Sequence, residues 1–237
     1  EERDQGGLGR VGMVALPGED PAVIHMWHPH SGPHSVLQLS MPLAAGAHTL
    51  PVAGAGKSCG MCMSMAPFLH PQNAGQGGLM AGYEDGTVAV WDFRFPGAPL
   101  AFSRSHSDAA LGVAVHSESK KSTSAGADGK VLLLSLDMGK HDEEVEATVL
   151  KQKQAQQFNQ GIGDVAMRGD GRILATAGWD GKVRVFDTKA LRPLAALKYH
   201  TSTITCVAFS PDNHLLASSA RDANIALWAV FPPKAPS

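Results

Sequence analysis

The chain has 237 residues, 43% of them hydrophobic and 18% charged, which is enough apolar matter for a buried core and excludes disorder throughout. With 20 basic against 22 acidic residues the net charge is −2, which argues against a dedicated nucleic-acid or anionic-membrane binder, and no apolar run reaches the ~18 residues of a membrane helix. Three cysteines (Cys59, Cys62 and Cys206) cannot build a disulfide framework, so a reducing compartment, cytoplasmic or nuclear, is expected. The opening Glu1-Glu2-Arg3-Asp4 is neither a methionine nor the basic-then-apolar start of a signal peptide, and reads as the edge of something longer.

In chain order, residues 11–16 and 22–27 flank the turn formers Pro17-Gly18-Glu19-Asp20-Pro21, and residues 35–41 supply a third apolar run. Residues 10–41 therefore read as a degenerate three-strand unit, followed by an Ala/Gly-rich linker over 42–60. A clear repeat then begins. Gly82-Tyr83-Glu84-Asp85-Gly86-Thr87-Val88-Ala89-Val90-Trp91-Asp92 reads as strand, tight turn, strand, and returns as Gly178-Trp179-Asp180-Gly181-Lys182-Val183-Arg184-Val185-Phe186-Asp187. Weaker copies lie at 125–131 and 220–228. The turn aspartates Asp85, Asp128, Asp180 and Asp222 are 43, 52 and 42 residues apart. The four units run over 61–95, 100–136, 144–188 and 194–230, and the whole of 1–237 reads as one all-β domain. The longer middle interval falls at 137–157, where residues 144–149 suit either an outer strand or a short surface helix.

A period near 40–45 with a Trp-Asp signature resembles the WD40 family, and the likeness covers residues 60–230. In that family a His before the inner strand, a Ser or Thr on the second strand, the turn Asp and a Trp on the third strand form a buried network. The last unit holds all four as His200, Ser218, Asp222 and Trp228. The second has His106, Ser124 and Asp128, with Leu134 in place of Trp. The third has Thr176 and Asp180, with Phe186 for Trp and Phe158 for His. The first has Asp85 and Trp91, and counting 22 residues back from the aspartate puts Met63 at the His place and Ala81 at the hydroxyl. The resemblance implies a WD40 β-propeller, with the four or five C-terminal blades of a seven-bladed ring expected, since such a ring needs about 300 residues.

Several motifs suggest chemistry. The Ser/His/Asp sets repeat at a fixed period and no Gly-x-Ser-x-Gly elbow accompanies them, so they read as structural and no catalytic residue is assigned. Ala55-Gly56-Lys57-Ser58 resembles the end of a phosphate loop, but Pro51 stands where its first glycine belongs. Cys59-Gly60-Met61-Cys62 has CxxC spacing without two further ligands, and His25, His28, His30 and His34 sit in a Pro/Gly-rich stretch. No cofactor and no metal are therefore expected. Trp179, which precedes a turn aspartate, reads equally as packing over a neighbouring blade or as a partner contact; Glu84, Ala127 and Arg221 hold its place in the other units.

More narrowly, residues 80–86, 173–180 and the ending 225–234 are similar to the guanine nucleotide-binding protein beta subunit-like group, also called the ASTRA-associated group. That likeness implies a non-enzymatic scaffold in a multi-subunit assembly, tied to chromatin remodelling or to co-chaperone maturation of kinases. It implies protein partners, with no direct nucleic acid, membrane or small-molecule substrate. The alternatives are a G-protein-beta-like signalling subunit, or an enzyme using Cys59/Cys62 or Lys57.

Overall fold

The computed structural model describes residues 14–17, 23–27, 37–40, 59–69, 77–95, 98–116, 118–136, 148–149 and 152–230. Within them every regular element is a strand. β1 (Val14–Pro17), β2 (Val23–Trp27) and β3 (Leu37–Ser40) make a three-stranded antiparallel sheet. The second sheet is β4 (Cys62–Leu69), β5 (Gly77–Tyr83), β6 (Thr87–Asp92) and β7 (Ala101–Arg104). The third is β8 (Ala110–His116), β9 (Lys121–Gly126), β10 (Lys130–Ser135) and, after the two-residue β11 (Thr148–Val149), β12 (Gln152–Gln157). The fourth is β13 (Ile162–Met167), β14 (Ile173–Gly178), β15 (Lys182–Asp187) and β16 (Pro193–Lys198). The fifth stops at three: β17 (Ile204–Phe209), β18 (Leu215–Ala220) and β19 (Ile225–Ala229). The first strands β4, β8, β13 and β17 stand side by side in that order, so the sheets stack around a common line, as blades do in a β-propeller. Each of these four carries a one-residue bulge near its start.

The turn between second and third strands shows why the sequence repeats. The side chain of each turn aspartate accepts the backbone N–H two residues on: Thr87 to Asp85 at 2.9 Å, Lys130 to Asp128 at 3.0 Å, Lys182 to Asp180 at 3.3 Å and Asn224 to Asp222 at 3.0 Å. The next residue must take a left-handed backbone. Glycine supplies it at Gly86 (φ 87°), Gly129 (76°) and Gly181 (73°), whereas the last turn forces it on Ala223 (62°).

Burial follows the stacking. β6 is buried along its whole length because both faces of its sheet are covered. Leu79, Ala81, Tyr83 and Trp91 pack with Ile24 and Leu39 of the first sheet, and Met80, Val88 and Val90 pack with Val113 and Leu132 of the third. β19 instead alternates between exposed and half-buried. Only the face bearing Trp228 meets the fourth sheet, while Ile225 and Leu227 are 74% and 67% exposed.

The sequence repeats and the sheets are offset: β7, in the unit 100–136, and β16, which begins one residue before the unit 194–230, each complete the preceding sheet. The Trp-Asp pair marks a third strand, and a short connection keeps the fourth antiparallel beside it before the chain crosses to the next blade. Of the stretch 144–149, open to an outer strand or a short surface helix, residues 144–147 lie outside the described residues. Thr148 and Val149 pair in parallel with Ala101 and Phe102 of the second sheet, and β12 takes the outer place on β10. Gln152–Gln157 escaped notice because an outermost strand faces water and needs no apolar alternation.

Candidate functional site

The described chemistry-bearing groups gather at the second-to-third-strand turns. In the fifth sheet His200 stands before β17, with Nδ1 3.1 Å from Asp222 Oδ2 and Nε2 2.8 Å from Ser218 Oγ. Trp228 Nε1–H donates to the same Ser218 oxygen at 2.9 Å. This chain of donors places the proton of a neutral imidazole on Nδ1, with Ser218 O–H donating to Nε2. The third sheet repeats it without the indole: His106 Nδ1 is 3.0 Å from Asp128 Oδ1, and Nε2 is 2.8 Å from Ser124 Oγ. Leu134 fills the indole's place in the core. Burial pushes the His106 imidazole below its ordinary value. Burial works to raise Asp128, but donors from His106 and from the backbone of Lys130 and Ser107 outweigh it and hold the carboxyl low.

The fourth sheet departs from this pattern. Phe158 occupies the His position and stacks at 6.0 Å on Phe186. Asp180 is held by Arg184 of the next strand through 2.9 and 2.6 Å bonds, which bring its carboxyl down to about 2, with Lys182 at 3.2 Å. Arg184 in turn lies 4.5 Å over the Phe158 ring. Thr176 is buried, its hydroxyl 3.5 Å from the Arg184 carbonyl. Sequence reasoning missed Arg184; its signal was an arginine four residues after a turn aspartate whose unit lacks the histidine.

In the second sheet Asp85 carries the turn, and Arg104 Nε donates to its carbonyl at 2.9 Å. The Met63 placement fails. From first strand to aspartate, Ile204 to Asp222 and Ala110 to Asp128 span 18 residues, but Cys62 to Asp85 spans 23, because the β4–β5 hairpin is longer. Met63 therefore sits at the β4 bulge, and the His-equivalent position is Ser58, outside the described residues. Ala81 does take the hydroxyl's place, and among the described residues the buried Trp91 Nε1 and Tyr83 hydroxyl, which lie near each other, make no hydrogen bond of good geometry.

The candidate contact residues share one geometry. The N–H of Glu84, Ala127, Trp179 and Arg221 each donates at 2.9 Å to a carbonyl at the head of the first strand, on Met61, Ala109, Gly161 and Thr203. They therefore line one edge of the stacked sheets. Trp179 packs over the head of its own sheet rather than over a neighbouring one, since a Cβ at Gly161 would fall 2.5 Å from its ring, and 39% of the residue is exposed. Arg221 and Glu84 are exposed, Glu84 Oε2 accepting the Met61 N–H at 3.2 Å. Burial pushes the Cys59 and Cys62 thiols up to about 11, the reverse of what a nucleophile or metal thiolate needs. Cys206 lies apart on β17, and no three His, Cys, Asp or Glu side chains converge among the described residues. Lys57, His28, His30 and His34 lie outside them.

The WD domain, G-beta repeat family matches residues 151–187 and 191–229, so this stretch carries the repeats of WD40 proteins. Such proteins are generally non-catalytic scaffolds. The chain is similar to guanine nucleotide-binding protein subunit beta-like protein 1 of Mus musculus, at 35% identity over 225 residues, covering 93% of this chain and 60% of that protein. It is also similar to ASTRA-associated protein 1 of Schizosaccharomyces pombe, at 33% over 171 residues, 65% of this chain and 44% of that one. The chain thus spans about half the length of the curated relatives it matches.

Proposed function

We infer that the chain is a protein-interaction scaffold in the cytoplasm or nucleus and works as one subunit of a larger assembly, in chromatin remodelling or kinase maturation. The observation that carries this reading is the edge formed by Glu84, Ala127, Trp179 and Arg221. A half-exposed indole in a tight turn gains little from the core beneath it, and tryptophan is the residue type most enriched at binding hot spots. The relatives' names support the assembly, since ASTRA-associated protein 1 is named for an association. The test is quantitative affinity purification of the tagged chain beside its Trp179→Ala and Arg221→Glu variants. A defined set of subunits recovered with the parent and reduced at least about tenfold with Trp179→Ala supports the reading. Equal recovery with all three, or nucleotide or thiol turnover that vanishes on Lys57→Ala or Cys62→Ser, overturns it.

A further inference from the structure

The outer strands of the third and fourth sheets leave a cleft between them. Phe158, Phe186, Pro193, Leu194 and Ala196 line a cavity of about 280 Å³, which runs past Arg184 into a second of about 480 Å³ beside Gln157, Asp180 and Lys182. The cleft is open because Ala196, opposite Arg184 on β16, offers only a methyl group where a larger side chain would fill the gap. Phe158 at the His position keeps its floor apolar.

Its charge is one-sided. Lys182 and Lys198 are direct partners across β15 and β16, and Arg184 is opposite Ala196 two residues along. Opposite residues of an antiparallel pair share a face, and like charges so placed repel. Three cations thus gather near one carboxylate. Asp180 is the one acidic residue among the described residues lining the cleft, and it is already engaged by Arg184 and Lys182. Lys198 is exposed and pairs with no carboxylate among the described residues. An apolar floor under a rim of surplus positive charge fits a segment carrying the complement of both.

We propose that this cleft docks an extended acidic segment of a partner protein, seating one apolar side chain against Phe158, Pro193 and Leu194 and setting carboxylates against Lys182 and Lys198. The assignment rests on the scaffold reading above and gives one partner's chemistry, with an apolar seat on β16 that does not include Trp179. The apolar anchor supplies the desolvated contact, and the exposed rim charges supply selection and a salt-dependent on-rate. A nucleic acid fits less well, because three cations partly offset by Asp180, on a chain of net charge −2, fall short of the basic surface that such a ligand needs.

The test is fluorescence anisotropy on the full chain with four labelled probes. These are a short peptide with one phenylalanine flanked by glutamates, the same peptide with lysines, the acidic peptide with glycine for phenylalanine, and a short oligothymidylate. The acidic phenylalanine peptide is expected to bind at least about tenfold tighter than the other three. Lys182→Glu should abolish that preference, and Ala196→Phe, which fills the cleft, should weaken binding about tenfold, the latter with unchanged melting. Trp179→Ala should leave it intact, so that a failure of the Trp179 surface and a failure of the cleft are read separately. Equal affinities for the three peptides, no binding at about 1 mM, preference for the oligothymidylate, or affinity that survives Lys182→Glu combined with Lys198→Glu each overturn the proposal.

Discussion

Ser218→Ala tests the energetics of the buried network more directly than any other change. Ser218 is 1% exposed and its hydroxyl serves two neighbours, donating to His200 Nε2 at 2.8 Å and accepting from Trp228 Nε1 at 2.9 Å. Removing it strands both. A buried polar group left unpaired costs about 1–3 kcal/mol. The His200 ring is buried and bears the full cost, whereas the half-buried indole of Trp228 on the edge strand can reach water and sits at the low end. The expected loss is about 2–4 kcal/mol, which for a chain of this size lowers the melting temperature by about 5–12 °C. The second sheet offers the converse. Ser218 is opposite Ala226, two residues before Trp228, and Ala81 is opposite Ala89, two before Trp91. Ala81→Ser therefore presents a hydroxyl to Trp91 Nε1, which makes no well-formed hydrogen bond among the described residues, and should stabilise by about 1 kcal/mol. Thermal melts of the three proteins by circular dichroism decide it. Shifts of the same sign in both variants, or a Ser218→Ala melt within about 1 °C of the parent, would refute the reasoning.

Acidification should weaken the fold in two stages. The imidazole of His106 is held below its ordinary value of about 6.5, so the unfolded chain takes the proton first; that stability is intact above about pH 6.5 and is lost as pH falls from there towards the folded value. Asp128 is also held low, so its contribution is lost at still lower pH, as pH falls through its folded value. Melting temperatures between about pH 7.5 and 5 should drop in the parent and drop less in His106→Gln; parallel curves count against this. Ala223→Gly relieves a left-handed alanine and should raise stability by about 1 kcal/mol in a urea titration, while Gly181→Ala should lower it; a midpoint unchanged by either removes the strain argument. The face of the fifth sheet that no other described residue covers, with Ile225 and Leu227 at its edge, should make the chain self-associate. Ile225→Lys combined with Leu227→Lys should restore a monomer by light scattering, and hydrogen exchange over 224–228 should be fast; strong protection there in a monomer would mean the edge is covered. Alkylation by iodoacetamide near neutral pH should label the exposed Cys206 before Cys59 and Cys62, read by mass spectrometry; the reverse order contradicts the buried, protonated state of the pair.

Local chemistry made much of this molecule legible from the residues alone. An aspartate that caps its own turn, a following left-handed residue and flanking β-branched runs are short-range requirements, so Asp85, Asp128, Asp180 and Asp222 announced their hairpins. The His–Ser–Asp offset carried as far as the hairpin length stayed constant, which is why His106 and His200 were found and Met63 was misplaced. The longer β4–β5 loop shifts the count without changing the fold, since a surface loop tolerates added residues cheaply.

The tertiary structure decided what depends on neighbours distant in sequence. Whether a strand is buried on two faces, as β6 is, or on one, as β19 is, depends on which sheets stack against it. The polar β12 is a strand because β10 presents an edge to it, and Thr148 and Val149 join the second sheet for the same reason. Arg184 takes Asp180 because Phe158 leaves no imidazole to do so, and the cleft beside it arises from two sheets that share no sequence signal. Turn chemistry acts within a few residues and is written there; cover, pairing and charge balance act between blades, where only the folded arrangement brings the partners together.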